Sequence, residues 1–252
     1  MWFSLFMSLV VAAVLVTVAV FSTTIHLHRS ATHMALVLHP FVTWVFKFAL
    51  WLTTGQVTRE WVAVHRKHHS FTDQEGDPHS PKLKGFWSVQ LWNVVHYVKE
   101  VKELTKTGQL KHYSQGITEC WWDRAVFNRG PLGLAVGITA LCLVVGQWIG
   151  VGWALLAAGI HAVVYVFLLT PSINGLCHTK GYRNFDNTAT NLRSIALLTG
   201  GEGLHNNHHG YPRSPKFSFR KSEIDPAWPL IRLLISLKLA KPYKTIEEVM
   251  AS

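Results

Sequence analysis

Charge is missing from two long stretches of this chain. Met1 to His28 contains no Asp, Glu, Lys or Arg, and neither does Pro131 to Thr179, so all 24 basic residues lie elsewhere. Only 15% of the 252 residues are charged while 49% are hydrophobic, which excludes an ordinary water-soluble domain and a disordered tail. Cysteine is scarce too: Cys120, Cys142 and Cys177 show no even pairing and no C-x-x-C spacing, which excludes a disulfide framework and a zinc ribbon. No internal repeat is present, so a solenoid is excluded. The formal net charge is +10 without any nucleic-acid recognition motif, so no nucleic-acid partner is expected.

What is abundant is histidine, in clusters. His65-Arg-Lys-His-His69 returns as His205-Asn-Asn-His-His209, and a looser pair, His28 and His33, stands upstream. On a helix, positions i, i+3 and i+4 share one face, so each H-x-x-H-H box aims three imidazoles at one region. A single box is usually a solvated polar face. Two boxes and a pair point to a transition-metal centre, because neutral imidazole is a ligand for iron, copper, nickel and zinc. Eight such histidines exceed one metal's needs, and His178 would make nine, so two metals are expected. All-imidazole ligation beside apolar helices suits iron that activates O2. His28 and His33 are five apart, about 140° around an ideal helix; either they serve different metals or the helix unwinds there.

The apolar stretches set the architecture: an all-α integral membrane protein forming a single domain over residues 1–252. Residues 3–25 are long enough to cross a hydrocarbon core of roughly 30 Å and are read as a retained anchor. Residues 131–149 and 152–172 make a helical hairpin that turns near Gly146 to Gly152. The three spans put every histidine box on one side of the bilayer, the basic and therefore cytoplasmic side of a bacterial inner membrane or its equivalent. Residues 34–54 are apolar but must not cross, or the boxes would separate; an interfacial helix is expected, with His39-Pro40 and Lys47 on its wet side. A second interfacial helix is expected over 226–240, and Phe86 to Lys106 reads as amphipathic. His161 is read as a packed polar group rather than a ligand.

Ordered motifs then add what spacing does not. His28-Arg-Ser-Ala-Thr-His33, the box at His65 followed by Asp77-Pro78-His79, Asn174-Gly-Leu-Cys-His178 followed by Gly181-Tyr182-Arg183, and Gly201-Glu-Gly-Leu-His205 running into the last box resemble the membrane fatty-acyl desaturases, the stearoyl-CoA or delta-9 type in particular. The resemblance spans about residues 26–240. It implies a di-iron centre held by His28, His33, His65, His68, His69, His178, His205, His208 and His209, with Asn174 acting through water. It implies O2 as co-substrate and a cis double bond, at delta-9, in a saturated chain carried on CoA, phospholipid or acyl carrier protein. It also implies a separate electron donor of ferredoxin, rubredoxin or cytochrome b5 type. Two departures stand out: one span precedes the first box, where the animal enzymes have two, and the chain carries no fused cytochrome b5 domain. Asp77, Glu202 and Asp186 are expected to orient ligand imidazoles, and Arg29, Arg66, Lys67, Arg183 and Arg213 to meet the carrier's phosphates. A hydroxylase on the same scaffold uses the same ligands and is the first alternative. A histidine-rich metal carrier is the second, and it would need ligands inside the spans or a flexible histidine tail.

Overall fold

The computed structural model describes residues 1–251. Helices dominate, in the order α1 (Trp2–Ser22), β1 (Leu36–Leu38), α2 (Pro40–Thr53), α3 (Thr58–Ser70), α4 (Pro81–Lys84), α5 (Phe86–Lys106), α6 (Gln109–Tyr113), α7 (Gly130–Val144), α8 (Gly146–Ile149), α9 (Val151–Val163), α10 (Thr170–Asn174), α11 (Arg193–Leu198), α12 (His205–Gly210), α13 (Trp228–Ser236), β2 (Ala240–Pro242) and α14 (Ile246–Met250). Two helices run on without a break as π-helix: α1 through Thr23–Thr32 and α9 through Val164–Leu169.

Those two extended helices, Trp2–Thr32 and Val151–His178, are long and apolar enough to cross a membrane. They pack side by side, Ser8 donating its hydroxyl hydrogen to the carbonyl of Trp153 at 2.9 Å. Where a span was expected over 131–149, the chain forms the 15-residue α7, which at 1.5 Å per residue reaches only about 22 Å and is too short to count on its own as a third crossing helix. The one-turn α8 extends it before the chain reverses at Gly150, where φ is +95°. Large apolar side chains lie exposed along all three, among them Phe6, Val14, Val136, Leu143, Leu155 and Val163. Apolar surface of this extent marks a partner phase rather than water.

The segment 34–54 does not form one continuous helix. Its first part pairs as β1, antiparallel to β2, in the register Leu36↔Pro242, Val37↔Lys241 and Leu38↔Ala240. His39 caps α2, its Nδ1 accepting from the Phe41 N–H, and Pro40 fits the first helical turn. Ile25, Leu36, Leu38, Val42, Ala227, Ile231 and Leu234 form one apolar cluster, so α13 and α2 are joined through the small sheet. Lys47, expected on a wet face, is instead tucked against Asp123 at 2.6 Å in the seam between α2 and the approach to α7. Burial of the ammonium is tolerated because the carboxylate neutralises it.

α2 crosses α7 at backbone contact. A Cβ on Gly130, Gly133 or Gly137 would meet the carbonyl oxygens of Gly55, Trp51 and Leu52 at 2.1, 2.3 and 2.2 Å. Only glycine permits that approach, which is how small residues let apolar helices touch. α5 spans the residues its amphipathic pattern predicts and is kinked at Trp92.

Candidate metal centre and acyl cavity

The π-helical stretch decides the geometry of the first pair. In a π-turn the hydrogen bond runs over five residues instead of four, and here His33 N–H donates to the His28 carbonyl at 3.2 Å. Residues five apart therefore share a face, and His28 and His33 point to one place. The helix unwinds there, and both join one cluster.

α3 and α12 then contribute in mirrored fashion. His65 and His69, four apart on α3, join His28, His33 and His208, their ring nitrogens all within 4.8 Å of one another. His205 and His209, four apart on α12, join His68 and His178 in a second set under the same limit. Each box thus gives two imidazoles to one set and its middle histidine to the other. The rings of His69 and His209 stack between the sets at 4.3 Å, 10° from parallel.

The fit to metal ions rests on where the nitrogens aim. Nε2 atoms approach pairwise at 2.9 Å for His28 and His208, 3.0 Å for His208 and His69, and 3.1 Å for His65 with His69 and His205 with His209. An octahedral or tetrahedral edge built on metal–nitrogen distances near 2.0–2.1 Å is about 2.9–3.4 Å. The Nε2 atoms of His33, His68 and His178 are buried without any protein partner. Converging, unpartnered lone pairs are what a cation repays.

Carboxylates hold the far side of three rings. Nδ1 of His28 contacts Glu202 Oε2, Nδ1 of His68 lies 3.0 Å from both Asp77 oxygens, and Nδ1 of His178 lies 3.1 Å from Asp73 Oδ2. With Nδ1–H donated to a carboxylate, Nε2 is free to bind metal. Glu202 also accepts the Thr24 hydroxyl, and Asp77 accepts the backbone N–H groups of Asp73 and His79. Burial, the largest single influence, would raise the Asp77 pKa, but the His68 hydrogen bond, the charges of His68 and His79 and the His79 N–H together outweigh it and bring the group to about 2. Burial, and then the mutual repulsion of neighbouring rings, holds His33, His65, His69, His205, His208 and His209 well below the usual 6.5. They are neutral, the form that ligates.

Several expected residues are elsewhere. Asp186 is exposed and makes no ion pair with a histidine among the described residues. Asp73, which sequence reasoning passed over, takes the role expected of it. It lies in the loop directly after the box at His65, at a left-handed φ of +58° that Asp tolerates in a turn, a conformation its sequence neighbours do not announce. Arg29 does not face a carrier. It is fully buried, with Nη1 donating to Pro215 O, Nη2 to Gly200 O and Asp225 Oδ1, and the guanidinium 3.8 Å above the Phe217 ring. Arg66 is likewise occupied by the carbonyls of Ala31, Thr32, Tyr113 and Gln115, and Lys67 pairs with Glu100 at 2.6 Å. Arg183 and Arg213 are exposed. Asn174 donates to Asn93 Oδ1 at 3.0 Å. His79 stacks on His68 at 4.6 Å and, with Asp77, forms a third group of close ligand atoms. His161 donates Nε2–H to the Thr53 carbonyl at 2.9 Å, as a packed polar group would.

A cavity of about 550 Å³ opens against the histidines. His28, His65, His79 and Asn174 line it together with Leu134, Ala162, Val166 and Leu169, and its walls draw on α3, α5, α7 and α9. Glu60 on its wall has a pKa raised by burial.

A largely apolar cavity reaching His28 and His65 of the five-histidine set, on a helical frame with two helices long enough to cross a membrane, fits the class of membrane enzymes whose histidine clusters could hold metal. The chain belongs to the fatty acid desaturase family, whose model matches residues 4–233. It is 30% identical over 223 residues to an sn-1 stearoyl-lipid 9-desaturase of Synechocystis, covering 88% of this chain and 66% of that one. It is 31% identical to an acyl-CoA 5-desaturase of Anemone leveillei, covering 98% of this chain and 74% of the relative. A delta-9 desaturase-like protein of Arabidopsis thaliana is 30% identical over 86% of this chain and 70% of its own length. The chain spans about two thirds to three quarters of these relatives, which are oxidoreductases that differ in carrier and in bond position.

Proposed function

We propose that this chain is an O2-dependent di-iron fatty-acyl desaturase that introduces a cis double bond, at delta-9, into a saturated chain carried on lipid, CoA or acyl carrier protein. The observation that supports this reading best is a five-histidine set beside a four-histidine set, with His28 and His65 of the first lining one largely apolar cavity. His28, His33, His65, His69 and His208 would hold one iron, and His68, His178, His205 and His209 the other. Bound iron supplies the power to oxidise an unactivated methylene with O2, which no side chain has.

The protein's own residues position and exclude. Glu202, Asp77 and Asp73 fix ring orientation, and the cavity wall holds the chain extended so that one carbon pair lies beside the histidines. Two hydrogens leave adjacent carbons; with two external electrons and two protons, O2 becomes two molecules of water. The second oxidising equivalent separates desaturation from hydroxylation after the first hydrogen is lost, so the ligands are the same for both. In the membrane, α7 and α8 complete a third crossing, α2 and α13 lie along the interface, and the histidine sets face the cytoplasm. Mass spectrometry of lipids from a host expressing the chain tests the reading. A product two mass units lighter supports it; one sixteen heavier, or none, overturns it.

A further inference from the structure

The segments on either side of α12 carry exposed positive charge, and two of their arginines share one aromatic ring. Between Lys180 and Lys221 the exposed charged residues are Lys180, Arg183, Arg193, Arg213, Arg220 and Lys221, against Asp186 alone. The acids that would balance them, Glu202 and Glu223, are buried and spent internally. Tyr182 is half-buried, with the guanidinium groups of Arg193 and Arg220 5.3 and 5.5 Å from its ring centre. The two cations lie within the reach of cation–π attraction to one ring, and both arginines are exposed, Arg193 also donating to the Ser222 hydroxyl at 2.8 Å.

This ring is wired to the centre. Tyr182 donates its hydroxyl hydrogen to Glu223 Oε1 at 2.8 Å, and Asn207 Nδ2 donates to Glu223 Oε2 at 2.8 Å. Asn207 is the residue before His208 in the first histidine set. Tyr182 also exchanges backbone hydrogen bonds with Asn191, whose side-chain oxygen accepts from the Asn206 N–H on α12. Two hydrogen bonds therefore separate a surface aromatic from the ligand-bearing helix.

We propose that Tyr182, Arg193 and Arg220 form the docking surface for an acidic one-electron carrier protein. The inference rests on the desaturase reading, which requires two electrons per double bond. Each encounter oxidises one carrier by one electron, so two carriers are consumed for every O2 reduced. A basic surface recruits an acidic carrier and accelerates its encounter. Recognition of an anionic lipid surface would use the same arginines but has no need of a ring bonded to α12.

The test uses the full chain in nanodiscs of zwitterionic phosphatidylcholine, with a plant-type [2Fe–2S] ferredoxin as probe. Affinity should fall about tenfold or more in R193E/R220E, less in R193Q/R220Q, and also as salt rises from about 0.05 to about 0.3 M. The K99E/K102E variant of exposed α5 lysines should bind as the parent does. Tyr182→Phe keeps the ring and should bind normally while slowing oxidation of the bound, reduced ferredoxin. Unchanged affinity in R193E/R220E, or an equal loss in K99E/K102E, overturns the proposal. So does a double variant that keeps its ferredoxin affinity and, in a parallel assay with vesicles containing anionic phosphatidylglycerol, loses only binding to those vesicles. Binding is read without acyl substrate, so its failure leaves the lipid analysis standing, and the reverse holds.

Discussion

At the scale of single residues, the site works through what lies behind each imidazole. Asp73→Asn keeps the size of the side chain but weakens its grip on His178 and removes the charge paired with Lys82. Loss of such an outer partner typically costs about 10–100-fold in metal affinity. Metal content after dialysis should fall accordingly, while Asp186→Asn retains it; parental metal content in Asp73→Asn would remove Asp73 from the site. Protonation gives a second prediction. His65, His69, His205, His208 and His209 have folded-state pKa values below the usual 6.5. The unfolded chain then binds protons that the folded chain refuses, so metal-free stability is unaffected above about pH 6.5 and declines as pH falls below it. Each such group contributes about 1.4 kcal/mol per pH unit within that window. Thermal melts of the chelator-treated protein from pH 7.5 to 5 should show the fall, and a flat profile would contradict it. The nine histidines were legible from spacing and resemblance. Asp73 was not, because nothing in a loop sequence says which of two nearby aspartates reaches which ring.

At the scale of elements, legibility followed periodicity. α5 could be read from its alternation of apolar and charged positions, and the hairpin turn from its glycines. The π-helix could be suspected only from two histidines five apart. β1 and β2 are three residues each, too short for any alternation, and they exist because their partners are brought together from residues some two hundred apart. The α2–α7 crossing makes the third prediction. Gly133→Ala would push a methyl into the Trp51 carbonyl, whereas Gly159 in α9 has nothing within 4 Å of the same position. The first substitution should destabilise by about 1–3 kcal/mol through overpacking. The second should be neutral or stabilising by about 0.5–1 kcal/mol, as alanine for glycine is within a helix. Unfolding in detergent by heat compares them, and equal melting points would refute the contact.

At the scale of the whole molecule, the cavity couples the apolar bundle to the histidine cap. Ala162→Phe adds a ring to the cavity wall made by α7 and α9. Under the proposed function, the products should shift towards shorter acyl chains, with the bond position counted from the carboxyl end retained. An unchanged chain-length profile would place the acyl tail elsewhere. The wall also holds Glu60, Gln56 and Tyr165, the last two within 3.3 Å of each other, so the cavity is not uniformly apolar.

By itself the sequence determined the chemistry on offer: imidazole as ligand, apolar runs of membrane length, and a surplus of positive charge outside them. Those are properties of residue type and local period, which survive without knowledge of the fold. Only the tertiary structure decided how nine imidazoles divide into five and four, that Asp73 backs His178 while Asp186 backs no histidine among the described residues, and that Arg29 is a buried clamp. Each of these depends on segments far apart in the chain meeting at a few ångströms, and side-chain direction at such meetings is set by packing, which no local pattern encodes.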